Sequence, residues 1–201
     1  MAQDLESRPD DPDLGAGPVH MVLNGILWIG RAAAWILMPI LVLVLISVVL
    51  SMAKVGTIFS WDSDVFLFGS KLTLSSIGDL LWHLFGIMLM LTMAGAIITD
   101  SHVRVDFLRQ HMSARNKAIV DVVGHLVLLI PLCAIVAYHG YDFTVRSFAM
   151  NEGSNYDGMY DRFFIKAFIP IGFGLMLLAG INLTIRDLRA LFTKQSGKAD
   201  D

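Results

Sequence analysis

The chain has 201 residues, 55% hydrophobic and 16% charged, with a net charge of −3, and its mean hydropathy is +0.63. Soluble domains average about 45–50% apolar and about 25% charged residues, so this composition excludes a disordered chain and argues against a soluble enzyme, while the small net charge excludes a nucleic-acid-type basic field. A single cysteine, Cys133, excludes an intramolecular disulfide framework and a multi-cysteine metal site.

Residues 1–18 carry Asp4, Glu6, Asp10, Asp11 and Asp13 with three prolines. They read as a disordered acidic tail. They do not read as a secretory signal, which would place a positive region directly before a short apolar run. A membrane domain follows over residues 19–192. A hydrocarbon core about 30 Å thick needs roughly 20 apolar helical residues. The segments 32–53, 77–99, 118–138 and 163–185 meet that requirement. The expected fold class is therefore all-α: an integral membrane protein of four transmembrane helices with short interfacial segments in the connections. Pro39, Pro131 and Pro170 lie inside three of the spans and predict kinks. Residues 193–201 read as a second solvated tail.

Orientation follows the lysines and arginines near the span ends. Nine (Arg31, Arg104, Arg109, Arg115, Lys117, Arg186, Arg189, Lys194, Lys198) fall on one side and five (Lys54, Lys71, Arg146, Arg162, Lys166) on the other. Both termini and the connection 100–117 are thus expected in the cytoplasm, with the connections 54–76 and 139–162 outside. The first outer connection holds Phe59, Trp61, Phe66, Phe68 and Leu72. Aromatic side chains of this kind favour the headgroup region, so a segment lying on the membrane or folded against a partner is expected. Residues 151–161 are rich in Asn, Asp, Gly and Ser and predict a turn-rich surface loop.

Ionisable side chains inside a membrane are costly and usually mark a transport or proton path. The central stretches 36–50, 84–98, 126–137 and 167–181 contain none. Transport through this chain alone is not expected, and no catalytic, cofactor or metal residue is assigned. Arg31, Trp28 and Trp61 read as interfacial anchors. Asp121 and His125 stand at i, i+4 on one face of the third span and form either a pair facing a neighbouring helix or a contact with a partner subunit. A single b-type haem between His83 and His139, both near the outer face, defines an alternative: a cytochrome-like redox subunit.

The connection between spans two and three is the most distinctive segment. It runs His102-Val103-Arg104-Val105-Asp106-Phe107, and Ser113 is placed to cap the third span. Arg104 and Asp106, two apart, project to the same side in an extended stretch. This string, with Ser113-Ala114-Arg115 leading to Asp121 and with Ile169-Pro170-Ile171-Gly172-Phe173 opening the last span, resembles the small permease subunit (DctQ type) of tripartite ATP-independent periplasmic (TRAP) transporters. The resemblance runs from about Trp28 to Leu191. Members of that family often carry an acidic pair early in span two, where this chain has Trp82-His83 with Asp79 nearby. The resemblance implies a non-catalytic scaffold in the bacterial inner membrane. Its partners would be the lipid bilayer, a large membrane permease subunit and a periplasmic solute-binding protein, in sodium-coupled uptake of an organic acid. It also makes His102, Arg104, Asp106, Asp121 and His125 the candidates for the structural motif and subunit contacts.

Overall fold

Proline placement divides the helices. The computed structural model describes residues 18–99, 112–154 and 158–196. Helix α1 (Pro18–Ala34) is followed by α2 (Leu37–Met52), and the two form one apolar segment. Pro39 lies in the first turn of α2, where it has no N–H to offer and its ring crowds the carbonyl one turn back. The chain therefore tightens at the joint, with Trp35 and Ile36 donating to Ala32 and Ala33, three residues back. Pro131 has a related effect further on. Helix α4 (Ala114–Gly124) leads into a wider π turn at His125–Leu129, closed by Ile130 N–H donating to His125 O, and α5 (Ile130–Ala149) begins with Pro131 in its first turn. A short α6 (Phe163–Lys166) stops before Pro170, which again falls in the first turn of α7 (Phe168–Ser196). All three predicted kinks are places where one helix ends and another starts.

Among the described residues, four helical segments are long and apolar enough to cross a membrane: Pro18–Met52, Leu74–Ile98, Asn116–Ala149 and Phe163–Arg189. The first helix starts well before residue 32, and the third continues past Tyr138 to Ala149. Residues 139–149 hold no helix breaker stronger than Gly140, so the helix outruns its apolar part. Helix α3 (Leu74–Ile98) starts on a reciprocal cap: Ser76 N–H donates to Thr73 Oγ1 at 3.1 Å, and Thr73 N–H donates to Ser76 Oγ at 3.3 Å. Ser113 caps α4 through Asn116 N–H at 3.3 Å, as its position predicts.

A β-hairpin occupies the first outer connection. Strand β1 (Thr57–Val65) pairs antiparallel with β2 (Gly69–Thr73), in a register that sets Thr57 opposite Thr73 and Val65 opposite Gly69.

Helix α7 lies at the centre of the bundle, packed along α3, along α5 and against α1, while α2 packs on α3. The core joins one residue or more from each span: Ile26, Ala94, Cys133, Met176 and Ala179. Small residues allow close crossings. A side chain at Gly172 would lie 2.7 Å from Met90 O, and one at Gly180 would lie 2.9 Å from Leu129 Cδ2. Gly172→Ala is expected to force α7 off the α3 backbone at about 1–3 kcal/mol, a fall of several degrees in thermal midpoint in detergent. Gly174→Ala, which has open space around it, is expected to leave the midpoint unchanged. Equal behaviour of the two variants would show that this crossing does not set stability.

Candidate functional site

The ends of spans two, three and four on the side of the β-hairpin are tied into one cap. Asp79, one turn into α3, is its centre. Its Oδ2 accepts Met159 N–H at 3.1 Å and receives the Arg162 guanidinium at 3.5 Å. The loop after α5 passes so close that a side chain at Gly158 would overlap this carboxylate. The same loop grips the hairpin turn. Tyr160 N–H donates to Leu67 O at 2.8 Å, and Leu67 N–H faces Asp161 Oδ2 at 3.5 Å. Leu67 (φ +71°) and Asp161 (φ +53°) both adopt left-handed backbone, which costs non-glycine residues free energy unless contacts hold it. Each holds the other. Gly69, also left-handed at φ +61°, lies under the Tyr160 ring, where a Cβ would come within 2.5 Å.

A second knot joins α5 to α6. Glu152 Oε2 accepts Ser147 Oγ–H at 2.8 Å and the Lys166 ammonium, while Arg162 N–H donates to Glu152 O at 3.0 Å. The Lys166 ammonium also lies 3.9 Å from the centroid of the Phe143 ring. The bond from Lys166, reinforced by that from Ser147, holds the Glu152 carboxyl below the usual glutamate range. Beneath the cap, Phe66 meets Phe163 and Phe164, and Phe163 meets Phe148 edge-on at 4.9 Å between centroids.

The sequence-derived candidates are dispersed. His102, Arg104 and Asp106 lie outside the described residues. Asp121 on α4 and His125 at the start of the π turn are half-buried, flanking the buried Val122. Trp61 points its indole N–H at Gly69 O, 2.5 Å away. Trp28 and Arg31 sit on the exposed side of α1. His83 and His139 do not form a facing pair. His83 is buried with Nδ1 donating to Asp79 O at 2.5 Å, so its Nε2 carries the lone pair and has no partner among the described residues. His139 is exposed on α5, and α7 packs between α3 and α5. The described residues contain no group of three or more His, Cys, Asp or Glu placed to hold a metal.

Sequence reasoning noted Asp79 as a charge near a span end but missed its partners. Nothing in the spacing pairs residues about eighty positions apart.

This architecture defines a multi-pass membrane protein with a cap at one end of the bundle and, among the described residues, no Asp, Glu, Lys, Arg or His at mid-depth. Residues 66–190, more than half of the chain, match the family described as tripartite ATP-independent periplasmic transporters, DctQ component. The chain belongs to that family and is a small membrane subunit of a TRAP transporter. No curated protein and no solved structure matches it.

Two outcomes follow for the cap. Gly158→Ala is expected to displace the loop from Asp79 and to speed trypsin cleavage after Arg162, while Gly25→Ala, with open space around it, does not. Unchanged cleavage in both would separate the loop from Asp79. A depressed carboxyl contributes stability that is fully present above its unfolded value, about 4.3 for glutamate, and lost as pH falls through the lowered folded value. Glu152→Gln is therefore expected to lower the thermal midpoint at pH 7, with the difference from wild type closing as pH drops below about 4. A difference that persists at pH 3 would mean the charge on Glu152 does not hold the knot.

Proposed function

We propose that this subunit is a stationary scaffold for the large transport subunit and that its outer cap helps dock the periplasmic solute-binding protein. The system would take up an organic acid with sodium. The chain would lie in the inner membrane with both termini in the cytoplasm, as the distribution of lysine and arginine supports. His102, Arg104, Asp106, Asp121 and His125, all toward the cytoplasmic side, would contact the large subunit or fix the turn that does.

The observation that carries this reading is the bundle interior. The core of Ile26, Ala94, Cys133, Met176 and Ala179 contains no Asp, Glu, Lys, Arg or His, the side chains that usually mark an ion or carboxylate path in a membrane. Arg31, the one cation on α1, faces away from the bundle. The cap supports the docking role, because strained backbone held by paired carboxylates and cations presents a preset surface instead of loose loops.

Reconstitution tests the reading. Liposomes containing this chain alone are expected to take up no organic acid with sodium, whereas liposomes containing it with the large subunit and the binding protein are expected to do so. Uptake by the chain alone would overturn the scaffold role. In the full system, Arg104→Ala and Asp106→Ala are expected to lower the transport rate or the amount of assembled complex, and Arg109→Ala and Lys117→Ala to change little. Equal effects of all four would reduce the His102–Asp106 string to a part of the positive-inside signal.

A further inference from the structure

The two halves of the first span present different exposed surfaces. On α2 the exposed side chains from residue 41 to 49 are aliphatic, among them Leu41, Val42, Leu45, Ile46, Val48 and Val49, and α2 has no buried residue. On α1 the buried residues Leu23, Ile26, Gly30 and Ala33 form one face. At 100° per residue, the opposite face carries His20, Asn24, Trp28 and Arg31, with Trp35 continuing it into the joint. This stripe lies outside the residues that match the family.

The depth of the stripe is set by its contacts with α3. Leu27 lies against Gly95, and Gly30 lies against Leu91 O and Thr92 Cα at 3.7 and 3.8 Å. Arg31 is thus level with Leu91, about 10 Å inside the cytoplasmic end of α3 at 1.5 Å per residue. Helix α3 is about 37 Å long against a hydrocarbon core of about 30 Å. With α3 centred on that core, the Arg31 Cα starts roughly 7 Å inside the hydrocarbon, about the reach of its side chain to the headgroups. A span beginning at residue 32 would have left it among the headgroups. Trp35 is about 6 Å deeper, near the middle of α3, and is 73% exposed. Tryptophan that faces lipid gathers at the headgroup level, where its N–H finds a partner. Arg31 has no ion pair or hydrogen bond with any described residue.

We propose that the Trp28–Arg31–Trp35 stripe of α1 is the seat for a membrane helix of the large transport subunit, and that this helix carries a carboxylate opposite Arg31. The assignment rests on the proposed scaffold role and names the face that performs it. Charge complementarity selects the occupant. A guanidinium held in hydrocarbon needs a counter-charge, lipid tails offer none, and tryptophan and arginine are the side chains that anchor protein interfaces. Helix α2, whose exposed middle is aliphatic, is left to lipid.

The test uses the full chain co-expressed with its large subunit. A benzophenone amino acid is placed singly at Trp28, Arg31 and Trp35 on α1 and at Leu41, Leu45 and Val49 on α2. Photo-crosslinks to the large subunit are expected from the α1 positions and not from the α2 positions. Crosslinks from α2 alone, to a second copy of this chain, or to lipid alone would overturn the assignment. Arg31→Met is expected to cut recovery of the large subunit roughly tenfold or more, since it strands a buried carboxylate, while Arg31→Lys retains most of it. Because Arg31 touches no described residue through a polar contact, the isolated variant keeps the wild-type elution profile and thermal midpoint. Undiminished recovery with Arg31→Met would refute the charge pair. If the unmodified chain does not recover the large subunit at all, the scaffold reading falls and the interface falls with it. Recovery with crosslinks from the wrong face removes the interface alone.

Discussion

The close crossing of α7 over α3 is the constraint on which the rest of the bundle depends. Between helices in lipid there is no hydrophobic force to gain, so association rests on van der Waals contact over the shortest distances the backbones allow. Gly172 lets α7 touch the α3 backbone at Met90, and Gly180 lets it receive Leu129 from the π turn. The two contacts lie eight residues apart on one helix, so α7 spaces span two and span three at once. Cys133 and Ala94 are completely buried because α7 closes over both. The small thiol acts there as a volume that fits.

With the spans positioned this way, their outer ends come within reach of one another, and the cap follows. Asp79 is on α3, Ser147 on α5 and Lys166 on α6, and Glu152, Met159 and Arg162 bridge between them. Each ion pair taken singly is partly solvated and worth little. Their combined effect is to hold backbone that would otherwise relax, at Leu67 and at Asp161. The loop that gives Tyr160 to the hairpin turn also gives Met159 and Arg162 to Asp79. The cap is thereby tied to the bundle, as the proposed scaffold role would require.

Much of this was legible in the sequence, and the part that was not has physical causes. The four spans are visible because an apolar run of membrane length is rarely anything but a membrane helix. Their ends were not: hydropathy marks where lipid contact stops, whereas a helix stops at a breaker, so the first helix begins at Pro18 and the third runs on to Ala149. The prolines predict kinks, and each sits in the first turn of a new helix. The hairpin was missed although Phe59, Trp61 and Val65 alternate with Ser60, Asp62 and Asp64 at the strand period. Its aromatics drew attention to the headgroups instead, and Trp61 spends its N–H on Gly69. The cap was hidden because it pairs Asp79 with Arg162 across two spans. The family resemblance rested on the His102–Asp106 string, which the described residues do not include.

The distribution of polarity over the molecule has a consistent logic. Charged groups of the described residues lie toward the two ends of the spans, and at the hairpin end Asp79, Glu152, Arg162 and Lys166 face one another. The core holds only apolar and small side chains, with nothing to bind a carboxylate or an ion. Helix α2 gives lipid a surface chemically like its own. The side of α1 opposite its buried face breaks this pattern, placing Trp35 and an Arg31 without a counter-charge among the described residues at hydrocarbon depth. A protein that kept such a face toward lipid would bear the desolvation cost of Arg31 for no gain in its own stability. The stem can carry the guanidinium toward the headgroups, and a carboxylate from another protein, as in the proposed interface, would remove the rest of the cost.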